Sequence, residues 1–381
     1  MHVLHLGKYY APYRGGMETI LQEMAEGLLD EGCDVTLVTS ATGVHALTET
    51  IRGPHTGRGG RLLRVARLGL VNSQPVNPGL VSALRRELAR GGADLLHLHL
   101  PNPLAAAACL ALRRDPSARR VPLAVWYHAD ITRQRLGARM VTPIVRACLR
   151  EAAGICVSSA ALRDHSPVLA PFRAKVTVVP FGIAPAPWRS VEPRPDGPFV
   201  FVGRLVGYKG VDVLLQALAD VPGAQLEIVG DGPLAPGLRD EAVRLGLGGR
   251  VAFLGEMDGA GIAGRLARAR ALVLPSVDRS EAFGLVQLEA MAAGVAVICT
   301  DLPTGVAEVG VPHRTCLRVP PGDPAALGGA LATLLADGEL AGRLGRAGRA
   351  RYDELFTREA MVGRLLDWYG TVAASAADRR D

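Results

Sequence analysis

Two carboxylates and two cations are the residues of this chain whose types and spacing could do chemistry. Glu281 and Glu289 are separated by seven residues, with Phe283-Gly284 between them. Upstream, Arg204 and Lys209 stand five positions apart among the glycines Gly203, Gly207 and Gly210. An Arg forks onto two phosphate oxygens, a Lys acts as a point charge, and glycines let backbone N–H groups approach an anion closely. Together they make a clamp for a diphosphate; the plainer reading is a solvated loop with two exposed cations. The two glutamates bracket a turn where a strand, 271–275, is expected to end and a helix, 284–293, to begin. Free N–H groups and the helix dipole favour phosphate at such a place. A carboxylate there needs partners, and sugar or ribose hydroxyls are suitable ones. In the plainer reading Glu281 caps the helix and Glu289 is solvated.

A second set lies in the first half. His97 and His99 share one strand face by the period of two, and Pro101-Asn102 follow where that strand ends. Trp126-Tyr127-His128-Ala129-Asp130 ends another strand, which puts His128 at the edge where parallel sheets bind ligands. His97, His99, His128 and Asp130 could also ligate zinc, as in a metal-dependent hydrolase. For His97 a satisfied core histidine is the plainer reading. The chain has no Asp-x-Asp pair, so a diphosphate-bound divalent ion has no evident carboxylate pair.

Positioning these side chains takes alternating strands and helices. Strands are expected at 2–6, 34–39, 62–66, 94–99, 121–128, 154–158 and 175–180, with helices at 17–31, 79–90, 104–114 and 138–152. Residues 7–16 form a loop with Tyr9, Tyr10 and Gly15-Gly16, and no G-x-G-x-x-G fingerprint follows the first strand. Residues 40–60 read as a mobile loop. The stretch 181–198 is crowded with prolines and reads as a linker. The pattern then restarts, with strands at 199–203, 225–230, 251–254, 271–275 and 295–300. Helices are expected at 210–219, 234–246 and 260–268, and 323–373 reads as helical. Two doubly wound α/β domains follow, 1–183 and 199–356, joined by 184–198 and facing across a ligand-binding cleft.

The bulk numbers agree with a soluble two-domain chain. It has 381 residues, 49% hydrophobic and 21% charged. No apolar run reaches membrane-spanning length, and Met1 leads directly into a strand rather than a signal peptide. Six cysteines without a C-x-x-C pair suit a reducing cytoplasm. The charge is uneven. Residues 1–183 carry 22 Lys and Arg against 13 Asp and Glu, whereas 199–381 carry 19 against 22. A basic first half suggests an acidic partner, and Arg133, Arg135, Arg139, Arg146 and Arg150 near one helix suggest peripheral contact with an anionic membrane. Aromatic residues are only 4% and do not interleave with the arginines, which argues against nucleic acid.

With these motifs in order, Gly15-Gly16-Met17-Glu18, Gly203-Arg204, Lys209-Gly210 and Glu281 to Glu289, the sequence resembles the retaining glycosyltransferases of family GT4 from His2 to about Tyr369. The segments 97–103 and 128–134 resemble a bacterial subgroup of polysaccharide and O-antigen assembly, where mannosyl transfer is common. The resemblance implies the GT-B fold, with a closing helix, 357–381, packed back on the first domain through Met361, Leu365, Leu366 and Trp368. It implies a nucleotide-diphosphate sugar donor, GDP- or UDP-linked, no metal or other cofactor, and a glycan, lipid-linked or small-molecule acceptor. Gly16, Arg204 and Lys209 would hold the diphosphate, beside Gly203. Glu281 would bind donor-sugar hydroxyls, Phe283, Gly284 and Leu285 would add backbone contacts, and Glu289 would bind the ribose. Leu254, Gly255 and Met257 match the base-binding turn. His128 matches the reaction-centre histidine, and Tyr10, His99, Asn102 and Arg133 would lie on the acceptor side. A phosphorylase or a binding protein of the same fold is the rival within the resemblance.

Overall fold

Alternation of short buried strands with helices builds two α/β units. The computed structural model describes residues 1–13, 15–71, 74–130, 135–190 and 196–377. One compact unit comprises Met1–Gly182 with Arg358–Asp381, and the other Ile183–Thr357.

The first unit contains β1 (His2–Leu6), β2 (Asp34–Ser40), β3 (Leu47–Arg52), β4 (Gly59–Val65), β5 (Gly69–Val71), β6 (Gln74–Val76), β7 (Leu95–Leu100), β8 (Leu123–Tyr127), β9 (Gly154–Val157) and β10 (Val176–Val178). Eight of them form one sheet in the order β10-β9-β8-β7-β1-β2-β4-β3, and β5 and β6 make a separate hairpin. Every neighbour in the large sheet is parallel except β3, which runs antiparallel to β4. Residues 40–60, read above as a mobile loop, thus hold an edge strand. Its exposed side chains, Leu47 and Glu49 among them, hide the apolar signal a buried strand would carry.

Strands buried on both faces read as continuous apolar runs. All six residues of β7, Leu-Leu-His-Leu-His-Leu, are buried. Leu96, Leu98 and Leu100 join Leu4, Leu6, Val125 and Tyr127 in one core, which continues into Leu84, Cys109, Leu112 and Leu149 of the covering helices. The alternate positions, His5, His97, His99 and Trp126, take the opposite face. There the closing helix Arg358–Ala377 covers them, with Trp368 and Tyr369 ring centroids 5.6 and 5.4 Å from that of His97. Met361, Leu365 and Trp368 are buried in this unit, while Leu366 is half-buried.

The second unit contains β11 (Phe199–Val202), β12 (Leu226–Val229), β13 (Val251–Gly255), β14 (Ala271–Leu274), β15 (Ala296–Thr300) and β16 (Cys316–Val319). They form one parallel sheet in the order β13-β12-β11-β14-β15-β16. The chain winds outward one way from β11 and the other way from β14, so the topological switch point lies between these two strands. In the first unit it lies between β1 and β7. Ligands bind at such points, beyond the strand C-termini. β16 was not expected, because four residues interrupted by Arg318 carry little period. Within the stretch read as a linker, Trp188–Ser190 forms a 3₁₀ turn and Trp188 is buried. Pro193 and Pro195 lie outside the described residues.

The closing helix is tied electrostatically as well as by packing. Arg358 lies 2.5 Å from Glu23 and 2.9 Å from Glu26 of helix Gly16–Asp30, its side chain 8% exposed. Burial opposes its charge, but the two carboxylates outweigh burial and hold its pKa above the usual value. Removing one partner of a buried pair leaves the others uncompensated. Arg358→Ala is expected to lower stability by about 3 kcal/mol in urea unfolding. A loss below about 1 kcal/mol would place the pair among solvent-screened surface bridges.

Candidate functional site

At the switch point of the second unit, two strand-end loops are zipped together. After β11 the chain runs through Gly203 and Arg204 into a single 3₁₀ turn, Gly207–Lys209. Gly210 ends it with φ +66°, and a Cβ there would stand 2.2 Å from the Pro275 carbonyl oxygen. Only glycine fits so close to the loop after β14. The N–H of Val277 donates to the Tyr208 carbonyl at 2.8 Å, joining the loops. Their contact brings Lys209 Nζ to 2.6 Å from Glu281 Oε2, with side chains 12% and 10% exposed. Ser276 Oγ donates to the same oxygen at 3.0 Å. Burial acts to lower the Lys209 pKa, yet Glu281, with Glu289 farther off, reverses this and raises it. Ser276 was not singled out in the sequence. Its proximity to a strand end and to Glu281 was the available signal.

The turn between the glutamates differs from the expected helix start. Gly284 has φ +74°, and a Cβ there would meet Leu274 Cδ2 at 2.6 Å. Helix Val286–Ala293 therefore begins two residues later, and Gly294 closes it in the left-handed conformation. Buried Gln287 steadies the turn by donating from Nε2 to the Phe283 carbonyl at 3.2 Å. Gly305 N–H donates to the Ala282 carbonyl at 2.8 Å. Phe283 is buried edge-on to Phe356, and Leu285 caps the helix. Glu289 occupies the first turn, half-buried. Arg204 is exposed, and among the described residues its guanidinium has no ion-pair partner. Leu254 and Gly255 end β13, where the Gly255 carbonyl accepts from Gly230 N–H at 2.7 Å, and half-buried Met257 follows.

The first unit arranges imidazoles. His5 Nδ1 lies 3.2 Å from His99 Nε2, and His99 Nδ1 lies 3.0 Å from His128 Nε2. His97 Nδ1 lies 2.6 Å from the Tyr369 hydroxyl. All four histidines are buried, and Trp126 and Phe181 stack against His128 at 5.7 and 5.6 Å. Burial pushes His5 and His128 down to about 3. It holds His97 and His99 well below the usual value too, helped by the neighbouring histidines. Sequence reasoning missed His5 and Tyr369. His5 lies directly across from His97 in the strand register, which sequence alone does not display.

The residues suggested for a hydrolytic zinc do not assemble as expected. Asp130 accepts from Tyr127 at 2.8 Å and Ser166 at 2.6 Å through one carboxylate oxygen. Among the described residues, the group with metal-ligand spacing is His5, His97 and His99, without His128. Of the other expected positions, Gly16 is exposed at the start of its helix, after an extended Gly15. Tyr10 is buried, and burial with nearby Glu26 raises its pKa. Asn102 caps helix Pro103–Leu112 by accepting from Ala105 N–H at 3.2 Å. It also lines a cavity of about 150 Å³ with Lys8, Ser40 and Asn77. Arg133 lies outside the described residues. No helix among them is long and apolar enough to cross a membrane.

Each unit is a doubly wound, largely parallel α/β sheet, and the second holds a buried Lys–Glu pair at its switch point. Residues 14–186 match the profile Glycosyltransferase Family 4, and residues 186–351 match Glycosyl transferases group 1; the chain belongs to this glycosyltransferase family. It is 33% identical over 369 residues to the D-rhamnosyltransferase WbpZ of Pseudomonas aeruginosa, covering 94% of this chain and 92% of the relative. It is 30% identical over 387 residues to the O-antigen chain mannosyltransferase C of Escherichia coli, covering 98% and 100%. Its fold is similar to that of sucrose-phosphate synthase from Thermosynechococcus elongatus, with a TM-score of 0.81, 24% identity and 98% and 99% of the two chains covered.

Replacing Lys209 by Met strands Glu281 in a buried site and is expected to cost about 3 kcal/mol of stability. The folded pKa of Lys209 lies above its ordinary 10.5, so the pair contributes fully below that pH and fades as pH rises through the higher folded value. The stability gap between the wild type and Lys209→Met is therefore expected to stay flat from about pH 7 to 9 and to shrink only above about 10.5. Urea unfolding across this range measures it. A gap that closes between about pH 7 and 9 would mean the pair is not what stabilises the loops.

Proposed function

We propose that this enzyme transfers a hexosyl group, mannosyl by preference, from a GDP- or UDP-linked sugar to a glycan, lipid-linked or small-molecule acceptor, with retained anomeric configuration. The observation that carries the reading is the buried Lys209–Glu281 pair at the β11/β14 switch point. Each charge is already desolvated and held by the other, so an entering diphosphate meets a preorganised cation. The hexose-transferring relatives support the sugar class.

Cleavage of the donor bond puts negative charge on the departing diphosphate and positive character on the sugar ring. Lys209 and the exposed Arg204 balance the first, together with backbone N–H groups of the turn at Gly284 and of Gly16. Glu281 binds sugar hydroxyls once the diphosphate has taken its share of Lys209, and Glu289 binds the ribose. The loop containing Leu254, Gly255 and Met257 receives the base. With two side-chain cations on the diphosphate, the step needs no divalent ion. The donor phosphate accepts the acceptor's proton as the acceptor attacks the same face, so no protein nucleophile is required. His128 hydrogen-bonds the transferred sugar.

Lys209→Ala is expected to lower kcat about 10²–10³-fold, or ~2.7–4 kcal/mol of barrier, as for loss of one oxyanion donor. Turnover near the wild-type level in a folded Lys209→Ala protein would remove the clamp assignment. GDP or UDP at 100 times its dissociation constant is expected to add about 2.7 kcal/mol of stability in a thermal melt. No shift with any nucleoside diphosphate would count against the reading. Turnover by protein dialysed against EDTA is expected to match that of untreated protein; a loss restored by one divalent metal would overturn the metal-free step.

A further inference from the structure

Four buried imidazoles in one unit raise a question of proton placement, because each neutral ring has one N–H and one lone pair. The contacts His5 Nδ1 to His99 Nε2 and His99 Nδ1 to His128 Nε2 form a chain. A chain of single-donor rings has two consistent polarities. In the first, protons point from His128 toward His5: His128 Nε2–H donates to His99, and His99 Nε2–H donates to His5. His5 then carries its proton on Nε2. In the second, His5 Nδ1–H donates to His99, His99 Nδ1–H donates to His128 Nε2, and the remaining proton sits on His128 Nδ1.

The closed end of the chain decides between them. His5 Nε2 is buried and has no hydrogen-bond partner. The first polarity would bury an orphaned N–H there, whereas the second leaves only an unused lone pair. Orphaned buried N–H groups are the rarer and more costly case. His97 obeys the same rule, with Nδ1 on the Tyr369 hydroxyl and Nε2 unpartnered. Tyr369, whose hydroxyl meets His97, stays a neutral phenol through burial, and burial likewise keeps the Cys156 thiol protonated. The nearby Asp130 carboxylate is bonded to Tyr127 and Ser166.

We infer that His5 and His99 are positioning residues that fix His128 as the tautomer with its proton on Nδ1. His128 then offers its substrate a hydrogen-bond donor and no free lone pair. It donates to an oxygen of the sugar and is unfit to take the acceptor's proton, which leaves that proton to the departing phosphate. The inference deepens the reading of His128 under the proposed function and rests on it for its catalytic meaning, though not for the tautomer itself.

The experiment is ring ¹⁵N–¹H correlation on the ¹⁵N-histidine-labelled full chain, without substrate, near neutral pH. Expected are neutral His5, His99 and His128 protonated on Nδ1. A His128 protonated on Nε2, an imidazolium, or metal-bound ring nitrogens matched by stoichiometric metal in elemental analysis would overturn the inference. Two variants separate position from structure. His99→Gln has an amide that can donate to His128 Nε2 and is expected to keep Nδ1–H on His128. His99→Glu, measured at alkaline pH where its carboxylate is ionised and His128 is neutral, can only accept and is expected to move the proton to Nε2. Its kcat is then expected to fall roughly tenfold below that of His99→Gln, about the worth of one hydrogen bond, with unchanged nucleotide affinity. An Nδ1–H that persists on His128 in His99→Glu would overturn the positioning role. If the proton moves but both variants turn over alike, the tautomer assignment stands and the role of His128 in transfer falls.

Discussion

Parallel strands buried on both faces impose the constraint on which the rest of this molecule depends. Such strands leave no polar side chain unaccounted for along their length, so polar chemistry collects where they end. In the second unit, β11 and β14 stop side by side at the point where the winding reverses. The loops that follow are short and locked by the Val277–Tyr208 hydrogen bond and by the fit of Gly210 against Pro275. Lys209 and Glu281 are thereby pushed into a space too dry for either charge alone. The pair that results is neutral in sum and shielded from the screening that weakens surface bridges.

The first unit solves a different problem with the same geometry. Alternation along β1, β7 and β8 sends leucines to one core and three histidines with a tryptophan to the other. A charged imidazole could not survive there, and burial keeps all four rings neutral. Neutral rings can bond to one another in line, as carboxylates or ammoniums could not. The closing helix completes this face by bringing Tyr369 to His97 and Trp368 above it. The helix therefore closes this polar face by hydrogen bonding as well as by packing, although it comes from a distant part of the sequence.

Much of this was legible in the residues. The switch from strand to helix period placed β1, β7, β8, β11, β14 and β15 within a residue or two, because each is a dense apolar run. Lys209, Glu281 and Glu289 stood out because charged residues next to strand ends and glycines have few structural reasons to be there. What stayed hidden was relational. An exposed edge strand such as β3 lacks a buried stripe, and Gly284 looked like a helix start because sequence does not display a positive φ. Ser276 and His5 are ordinary residues until their neighbours across the sheet are known. Metal ligation by His97, His99 and His128 was plausible by spacing along the chain. Register exchanges His128 for His5 in that group.

The two switch points also differ in how they treat charge, and the difference has a physical logic. Under the proposed transfer a departing diphosphate would develop charge that a fixed cation can meet, and the ion pair where β11 and β14 end would supply that cation. A sugar ring that gains positive character must not be faced by another cation. Under the same proposal, an imidazole at the end of β8 that burial keeps neutral would orient hydroxyls without opposing the ring. The lysine has a raised pKa and the histidine a lowered one, although burial acts to lower both. The opposite outcomes come from the neighbours. Glu281 sits 2.6 Å from Lys209, whereas His128 has another neutral imidazole at 3.0 Å. The identity of one contacting side chain thus decides whether a buried base is held charged or neutral.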